Sequence, residues 1–335
     1  MKVYRFDAQG QLRMEDAAIP QPGPGEVRVK VETVSLNYRD LLMQDAAHTG
    51  QLPGRMPVSD AAGSVDAVGD EVDNRRIGQK VVVAFFRDWI DGRFRPDYMT
   101  SAWGGQSRDG VLSEYIIAPA NAVAAMPGHL NSVEAAALPC AGVTAWHGLI
   151  ARGKLQAGDT LLVHGTGGVA LFGLQIGAAL GARVIALSSS DAKLERAKAL
   201  GASDLINYRT VPDWDKVVLD LTGGEGASHV LELGGPDTYQ RSLNALAAGG
   251  TLVQIGVLSG FGPQPNLGRL QTLNADIAGI TVGSARHLAE LSGFLTEHAL
   301  HPVIDKVFGF DEAAAAYDHL RAAGHFGKVA LRICS

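Results

Sequence analysis

An α/β chain in which a doubly wound parallel sheet is inserted into a β-rich, barrel-like domain is the architecture the sequence predicts, and three observations carry it. The first third alternates apolar and polar residues in short strands cut by Pro and Gly. From about residue 123, strand and helix patterns take turns, the grammar of a parallel sheet covered by helices on both faces. The last residues return to the first grammar, so one domain interrupts the other. The expected division is 1–122 with 298–335 for the β-rich domain and 123–297 for the insert. A chain of 335 residues exceeds the usual reach of one hydrophobic core, which fits two domains.

The elements follow in order. Val27, Val29 and Val31 alternate with Arg28, Lys30 and Glu32 as a half-buried strand, and Val81-Val82-Val83 begins another after Gly78. Pro20-Gln21-Pro22-Gly23-Pro24-Gly25 and Val68-Gly69-Asp70 are turns, and short strands so punctuated point to a small barrel or curled sheets. Asn131, with Glu134 three positions on, reads as a capping box opening a helix through Ala135-Ala136-Ala137. Residues 160–164 form an apolar strand, 168–180 an apolar helix and 183–187 a second buried strand, together a βαβ unit. Residues 191–200 read as an amphipathic helix with Leu194, Ala197 and Leu200 on one face and Gly201 as its stop. Further strands are expected at 228–233, 251–255 and 279–282, with a helix at 237–246. Gly327-Lys328-Val329-Ala330-Leu331 is the final strand.

Composition narrows the function. No apolar run reaches the roughly 18 residues of a membrane span, so no membrane partner is expected. The start, Met1-Lys2-Val3-Tyr4-Arg5-Phe6, has no apolar signal segment, and a cytoplasmic location is the expectation. Two cysteines, Cys140 and Cys334, allow neither a disulfide framework nor a four-cysteine zinc site. The net charge of -6 comes without a basic block, which argues against nucleic acid and for a small-molecule partner.

The strand ending at His164 runs into Gly165-Thr166-Gly167-Gly168-Val169-Ala170, which satisfies the G-x-G-x-x-G/A form of a dinucleotide fingerprint. The first glycine permits the tight turn, the second admits the pyrophosphate to the backbone, and the small last residue lets helix and strand pack. The phosphate then meets free N–H groups at a helix N-terminus. At the end of the second strand, where an NAD enzyme carries an acidic residue for the ribose, stands Ser188, followed by Ser189, Ser190 and Lys193. Hydroxyls and one cation suit a 2′-phosphate and so NADP(H). The alternative makes Ser190 or Asp191 a helix cap and Lys193 a solvated lysine, and Asp191 would repel a phosphate.

Five stretches, taken in order, resemble landmarks of the zinc-free medium-chain dehydrogenases/reductases, the group containing quinone oxidoreductases and enoyl reductases. They are Ser35-Leu36-Asn37-Tyr38-Arg39-Asp40-Leu41, Gly110-Val111-Leu112-Ser113-Glu114-Tyr115, Leu138-Pro139-Cys140-Ala141-Gly142-Val143-Thr144-Ala145-Trp146, the glycine turn, and Gly324-His325-Phe326-Gly327-Lys328-Val329. The resemblance implies a GroES-like catalytic barrel split in sequence, a Rossmann domain between its parts, and a cleft where nicotinamide meets substrate. It implies that Asn37 and Tyr38 approach nicotinamide and substrate, and that Thr144 lies beside the nicotinamide ring. It also places Tyr208 near the adenosine phosphate and Gly234, Gly256 and Lys328 at cofactor-contacting positions. For each a bland reading stands beside it: Asn37 a turn, Tyr38 core, Lys328 an exposed strand end. A homodimer is expected through the last Rossmann strand near Ile280 to Val282, at a sheet edge in the resembling fold.

Against zinc-dependent relatives the chain has Asn37 for the first catalytic cysteine and Ser59-Asp60 for the histidine-glutamate pair; only Cys140 matches a ligand. Catalytic zinc needs three protein ligands, so no zinc is expected. Asp40 and Asp60 should be ionised unless strongly desolvated. Residues 85–110 either cover the substrate cleft through Phe85, Trp89, Tyr98 or Trp103, or form a surface excursion with those aromatics packed beneath it. His48, His147 and His301 lack companions at metal spacing, and His164 either faces the cofactor or makes a buried hydrogen bond. The expected activity is reduction of quinones or activated C=C bonds by NADPH. Alcohol dehydrogenation and a non-catalytic NADPH sensor are the rival readings.

Overall fold

The computed structural model describes residues 1–260, 262 and 265–333; Cys334 lies outside the described residues. In chain order the elements begin with β1 (Lys2–Phe6), β2 (Leu12–Asp16), β3 (Glu26–Leu36), α1 (Tyr38–His48), β4 (Asp60–Val68), β5 (Lys80–Val83), β6 (Tyr115–Pro119), β7 (Val123–Ala125), α2 (Ser132–Ala135) and α3 (Val143–Trp146). There follow β8 (Thr160–His164), α4 (Gly168–Ala179), β9 (Arg183–Ser188), α5 (Asp191–Ala199), β10 (Asp204–Asn207), α6 (Trp214–Leu221) and β11 (Ala227–Glu232). Next come α7 (Pro236–Asn244), β12 (Leu246–Gln254), α8 (Gly268–Leu273) and β13 (Asp276–Gly279). The chain closes with α9 (Ala285–Glu297), β14 (Ile304–Gly309), α10 (Ala313–Arg321) and β15 (Lys328–Arg332).

Two compact units result, Met1–Val143 with Val282–Ser335, and Thr144–Thr281. The first is the GroES-like unit. Its main sheet runs β14-β15-β3-β4-β5-β7, with β6 also on β3. β3 is the spine, and its alternation buries Val27, Val29 and Val31 in a core that also holds Tyr317 and Leu320 of α10. Register shifts between Arg28 and Val29 and between Val31 and Thr33 mark bulges, which bend a strand. β15 returns from the far end of the chain to pair antiparallel with β3, Val329 opposite Leu36. That pairing brings Lys328 to Asn37.

The second unit is a six-stranded parallel sheet in the order β10-β9-β8-β11-β12-β13. Counted from β8, this is the 3-2-1-4-5-6 order of the doubly wound dinucleotide fold, with its switch point between β8 and β11. Leu161, Leu162, Val163, Val230 and Leu231 are fully buried, as strands covered on both faces must be. β13 is an edge strand of this sheet.

The expected borders at 122/123 and 297/298 differ from this partition. β7 pairs with β5, and the backbone at Ala285 and Arg286 donates to Trp89 and Ile90, so both flanks of the insert belong to the first unit. Residues 85–110 form a lobe on an aromatic core. Phe86 and Trp89 are buried, Trp89 stacks on Tyr98 with ring centroids 6.0 Å apart, and Phe94 meets Trp89 edge-on at 5.0 Å. Trp89 Nε1 donates to Gly92 O and Trp103 Nε1 to Ala84 O. The aromatics are packed beneath the excursion, the second of the two expected readings.

Candidate functional site

In the parallel-sheet unit the expected cofactor residues lie at the carboxyl ends of the strands. β8 ends at His164 and the chain turns at Gly165, whose φ of +77° favours glycine. Gly167 caps α4 and Gly168 opens it, so Thr166 to Val169 present the amino end of a 12-residue helix. A side-chain carbon built on Gly165 or Gly167 would meet nothing within 4 Å, space that a bound phosphate would take. Free N–H groups, a helix dipole and that space fit a dinucleotide.

A second group gathers where β9 and β10 end. Ser188 is buried, and its Oγ accepts the Ser190 amide at 3.3 Å; Tyr208, exposed, donates its backbone N–H to Ser188 O at 3.1 Å. Ser189 and Lys193 are half-buried where the chain passes into α5. Asp191, the residue that argued against a phosphate, accepts from Asn207 Nδ2 at 2.7 Å. Thr144 is buried on α3. Gly234 follows β11 and Gly256 follows β12; the space beside Gly256 is closed by the Leu233 carbonyl, so only glycine fits there.

The GroES-like unit holds a buried polar cluster. Asn37 precedes α1, and its N–H donates to Asp40 Oδ2 at 2.8 Å, half of a capping box. Asn37 Nδ2 donates to Asp60 Oδ2 at 2.9 Å, and Ser59 Oγ donates to Asp60 Oδ1 at 2.6 Å. The Cys140 amide donates to Asp60 Oδ2 at 3.2 Å. Lys328 Nζ donates to Leu36 O at 2.6 Å and to Asn37 Oδ1, and lies 3.9 Å from Asp60. Its side chain is 3% exposed, so Lys328 is not an exposed strand end. Tyr38, in contrast, is 41% exposed and not part of the core.

Burial controls the ionisation here. Asp40 is fully enclosed, and burial raises its pKa to about 6 against the pull of Arg39, with Asp60 adding to the rise. Burial also raises Asp60, opposed by Lys328. Both aspartates are thus desolvated, and Asp60 keeps three hydrogen-bond donors and a nearby ammonium that favour its carboxylate. Burial and then the Asp60 charge push the Cys140 thiol up, which keeps it protonated at neutral pH.

This donor set does not fit zinc. Zinc takes thiolate, imidazole or carboxylate ligands, whereas Asn37 is a carboxamide and Asp60 already faces an ammonium, which leaves Cys140 as a single thiol. Among the described residues no three His, Cys, Asp or Glu side chains form a metal-holding group. No described helix is long and apolar enough to cross a membrane.

Residue reading missed one participant. Glu232, the last residue of β11, is wholly buried and accepts from Gly234, Gly235, Thr238 and Ser242. A charged residue closing the apolar run Val230-Leu231 just before two glycines was the available signal.

Known proteins bear out the architecture. Residues 23–128 match the alcohol dehydrogenase GroES-like domain and residues 168–297 the zinc-binding dehydrogenase family. A zinc-type alcohol dehydrogenase-like protein of Schizosaccharomyces pombe is 42% identical across 99% of this chain and 97% of its own. A quinone oxidoreductase of Pseudomonas aeruginosa is 30% identical across 98% and 99%, and a crotonyl-CoA reductase of Streptomyces avermitilis 26% identical across 96% and 82%. Among solved structures, a Sinorhizobium meliloti protein assigned as an alcohol dehydrogenase aligns with a TM-score of 0.92 at 40% identity, over 99% of this chain and 98% of that one. An NAD-dependent alcohol dehydrogenase aligns at 0.89 and 33%, each chain covered fully at 100%. A mycobacterial protein complexed with NADPH aligns at 0.81 and 27%, over 99% and 100%. With both domains, their order and the full length accounted for, the chain belongs to the medium-chain dehydrogenase/reductase superfamily of oxidoreductases.

Proposed function

We propose that this oxidoreductase reduces quinones or activated C=C bonds with NADPH and uses no zinc. The observation that carries the proposal is the Lys328–Asn37–Asp60 cluster: at the positions that the resemblance matches to the ligands of zinc-dependent relatives, this chain has a carboxamide, a carboxylate already facing an ammonium, and a single thiol.

NADPH supplies the hydride when bound. The protein's part is to bind, orient and polarise. The glycine turn and the amino end of α4 take the pyrophosphate, and Ser188, Ser189 and Lys193 offer donors and charge to a 2′-phosphate. Asn37 has two amide hydrogens and spends one on Asp60. The other is available to negative charge growing on an acceptor oxygen. Lys328, bonded to Asn37 Oδ1, draws electron density from the amide and strengthens its N–H as a donor. The final proton comes from water, since the chain offers no dedicated acid: Asp60 is engaged with an ammonium and three donors, and Asp40 with Arg39. The relative named an NAD-dependent alcohol dehydrogenase favours a second reading, alcohol oxidation.

Oxidation of NADPH and NADH, followed by absorbance across quinones, enones and aldehydes, separates these readings. The proposal expects turnover with quinones or enones and tighter NADPH binding, by about 1–3 kcal/mol from charge-assisted contacts, with Lys193→Ala removing much of that preference. Turnover of aldehydes alone, or a preference for NADH, contradicts it. Tight NADPH binding with no turnover on any acceptor favours a sensor.

A further inference from the structure

The buried carboxylate of Glu232 has no Lys or Arg partner among the described residues, yet it is saturated with bonds. Oε1 accepts the amides of Gly234 at 2.8 Å and Gly235 at 3.0 Å and the hydroxyl of Thr238 at 2.6 Å. Oε2 accepts the Ser242 hydroxyl, whose lone pair meets His164 Nε2 at 3.2 Å. Its backbone carbonyl accepts the amides of Ile255 at 3.1 Å and Gly256 at 3.0 Å. One residue therefore ties together three strand exits: β8 through His164, the residue before the glycine turn; the β11 to α7 turn; and the exit from β12.

These are the exits that carry Gly165, Gly234 and Gly256. On the proposed reading the dinucleotide meets backbone at these exits, and backbone at a turn is only as well placed as whatever holds it. Gly235, with a φ of +92°, adopts a conformation that side chains rarely take, and its amide is fixed by the Glu232 carboxylate. Burial lowers the pKa of His164 and keeps its ring neutral, so the bonds are directional ones among polar groups, and geometry more than charge pairing is what they supply.

We infer that Glu232 is the positioning residue of the dinucleotide site, holding the β11 to α7 turn and the β12 exit in register with the glycine turn. The inference rests on the proposed use of a nicotinamide dinucleotide. It is tested by titrating the full chain with NADPH, followed by fluorescence, alongside thermal melts. Glu232→Ala is expected to weaken NADPH binding at least about tenfold, since several bonds to the turn are lost together. Glu232→Gln keeps an oxygen facing Gly234 and Gly235 and is expected to stay within about threefold of the parent. The control is His229→Ala, which breaks a buried polar group at the opposite end of the same strand, where His229 Nε2 meets Gly153 O at 2.7 Å. It should lower the melting temperature and leave the NADPH dissociation constant unchanged.

If Glu232→Ala does not fold, Thr238→Val with Ser242→Ala strips both hydroxyl donors from a carboxylate left in place, and about a fivefold loss is expected. An unchanged dissociation constant in Glu232→Ala, or in that double variant where it stands in, overturns the inference. So does an equal loss in His229→Ala, which would mean that destabilisation alone weakens binding. Parent protein that binds neither NADPH nor NADH overturns the functional reading itself and the inference with it.

Discussion

Asn37 shows how much one side chain is asked to do in this chain. It starts α1, donates to Asp60 and accepts from Lys328, and on the proposed reading its second amide hydrogen serves an acceptor oxygen. Its neighbour Asp40 gives the cluster a pH signature. The unfolded carboxyl titrates near 3.9, whereas burial raises the folded one to about 6. Between those values the native chain holds a proton that the unfolded chain has released. This stabilisation is full below the window and is lost as pH rises through about 6. Asp40→Asn removes the titration, so relative to the parent the variant should gain about 1–3 kcal/mol of unfolding free energy between pH 4 and pH 7. Denaturant midpoints at the two pH values check this; a gap that stays constant or closes contradicts it. The sequence showed Asn37, Asp40, Asp60, Cys140 and Lys328 as separate residues up to 291 positions apart. Only the folded chain shows that Asn37, Cys140 and Lys328 meet around Asp60, with the pairing of β15 on β3 bringing Lys328 there.

At the scale of elements, what could be read in the sequence is what had a period. β8, α4 and β9 were legible because a buried strand, an apolar helix and a second strand follow one another at close spacing, and the capping box at Asn131 and Glu134 marked α2. α1 was not legible: only Asp40, Leu41 and Ala47 of its 11 residues are buried, so no apolar stripe announces it. The last Rossmann strand, expected at 279–282, runs Asp276–Gly279, because only Ala278 of it is buried and a half-exposed edge strand carries a weak pattern. The 85–110 lobe had aromatics without periodicity, which left cover and packed excursion equally open. Its fold makes a firm expectation: Trp89, 1% exposed against Phe86, Phe94, Tyr98 and His287, is core. Trp89→Ala should cost about 3–5 kcal/mol of stability, as large aromatic truncations do. A loss below about 1 kcal/mol in denaturant unfolding, the range of a surface substitution, would mean that the lobe is a loosely held cover instead.

For the whole molecule, the two units carry separable parts of the chemistry. The parallel-sheet unit supplies the turns and the helix end suited to a dinucleotide, and the GroES-like unit supplies the Asn37 cluster. The inserted order of domains was legible because the strand grammar of the first third returns at β15; the border was not, because β7 and α9 sit within the helix-and-strand stretch by sequence and join the other unit by pairing and backbone bonds. The proposal at this scale is that the chain works without zinc, with Asn37 and Asp60, bound to Lys328, at the positions that the resemblance matches to metal ligands. It is tested most directly by measuring NADPH-dependent reduction of a quinone or enone by protein whose metal content has been determined before and after exhaustive chelation. Substoichiometric zinc throughout and an unchanged rate are expected. One zinc per chain, with activity lost on chelation and restored by adding zinc, would contradict it.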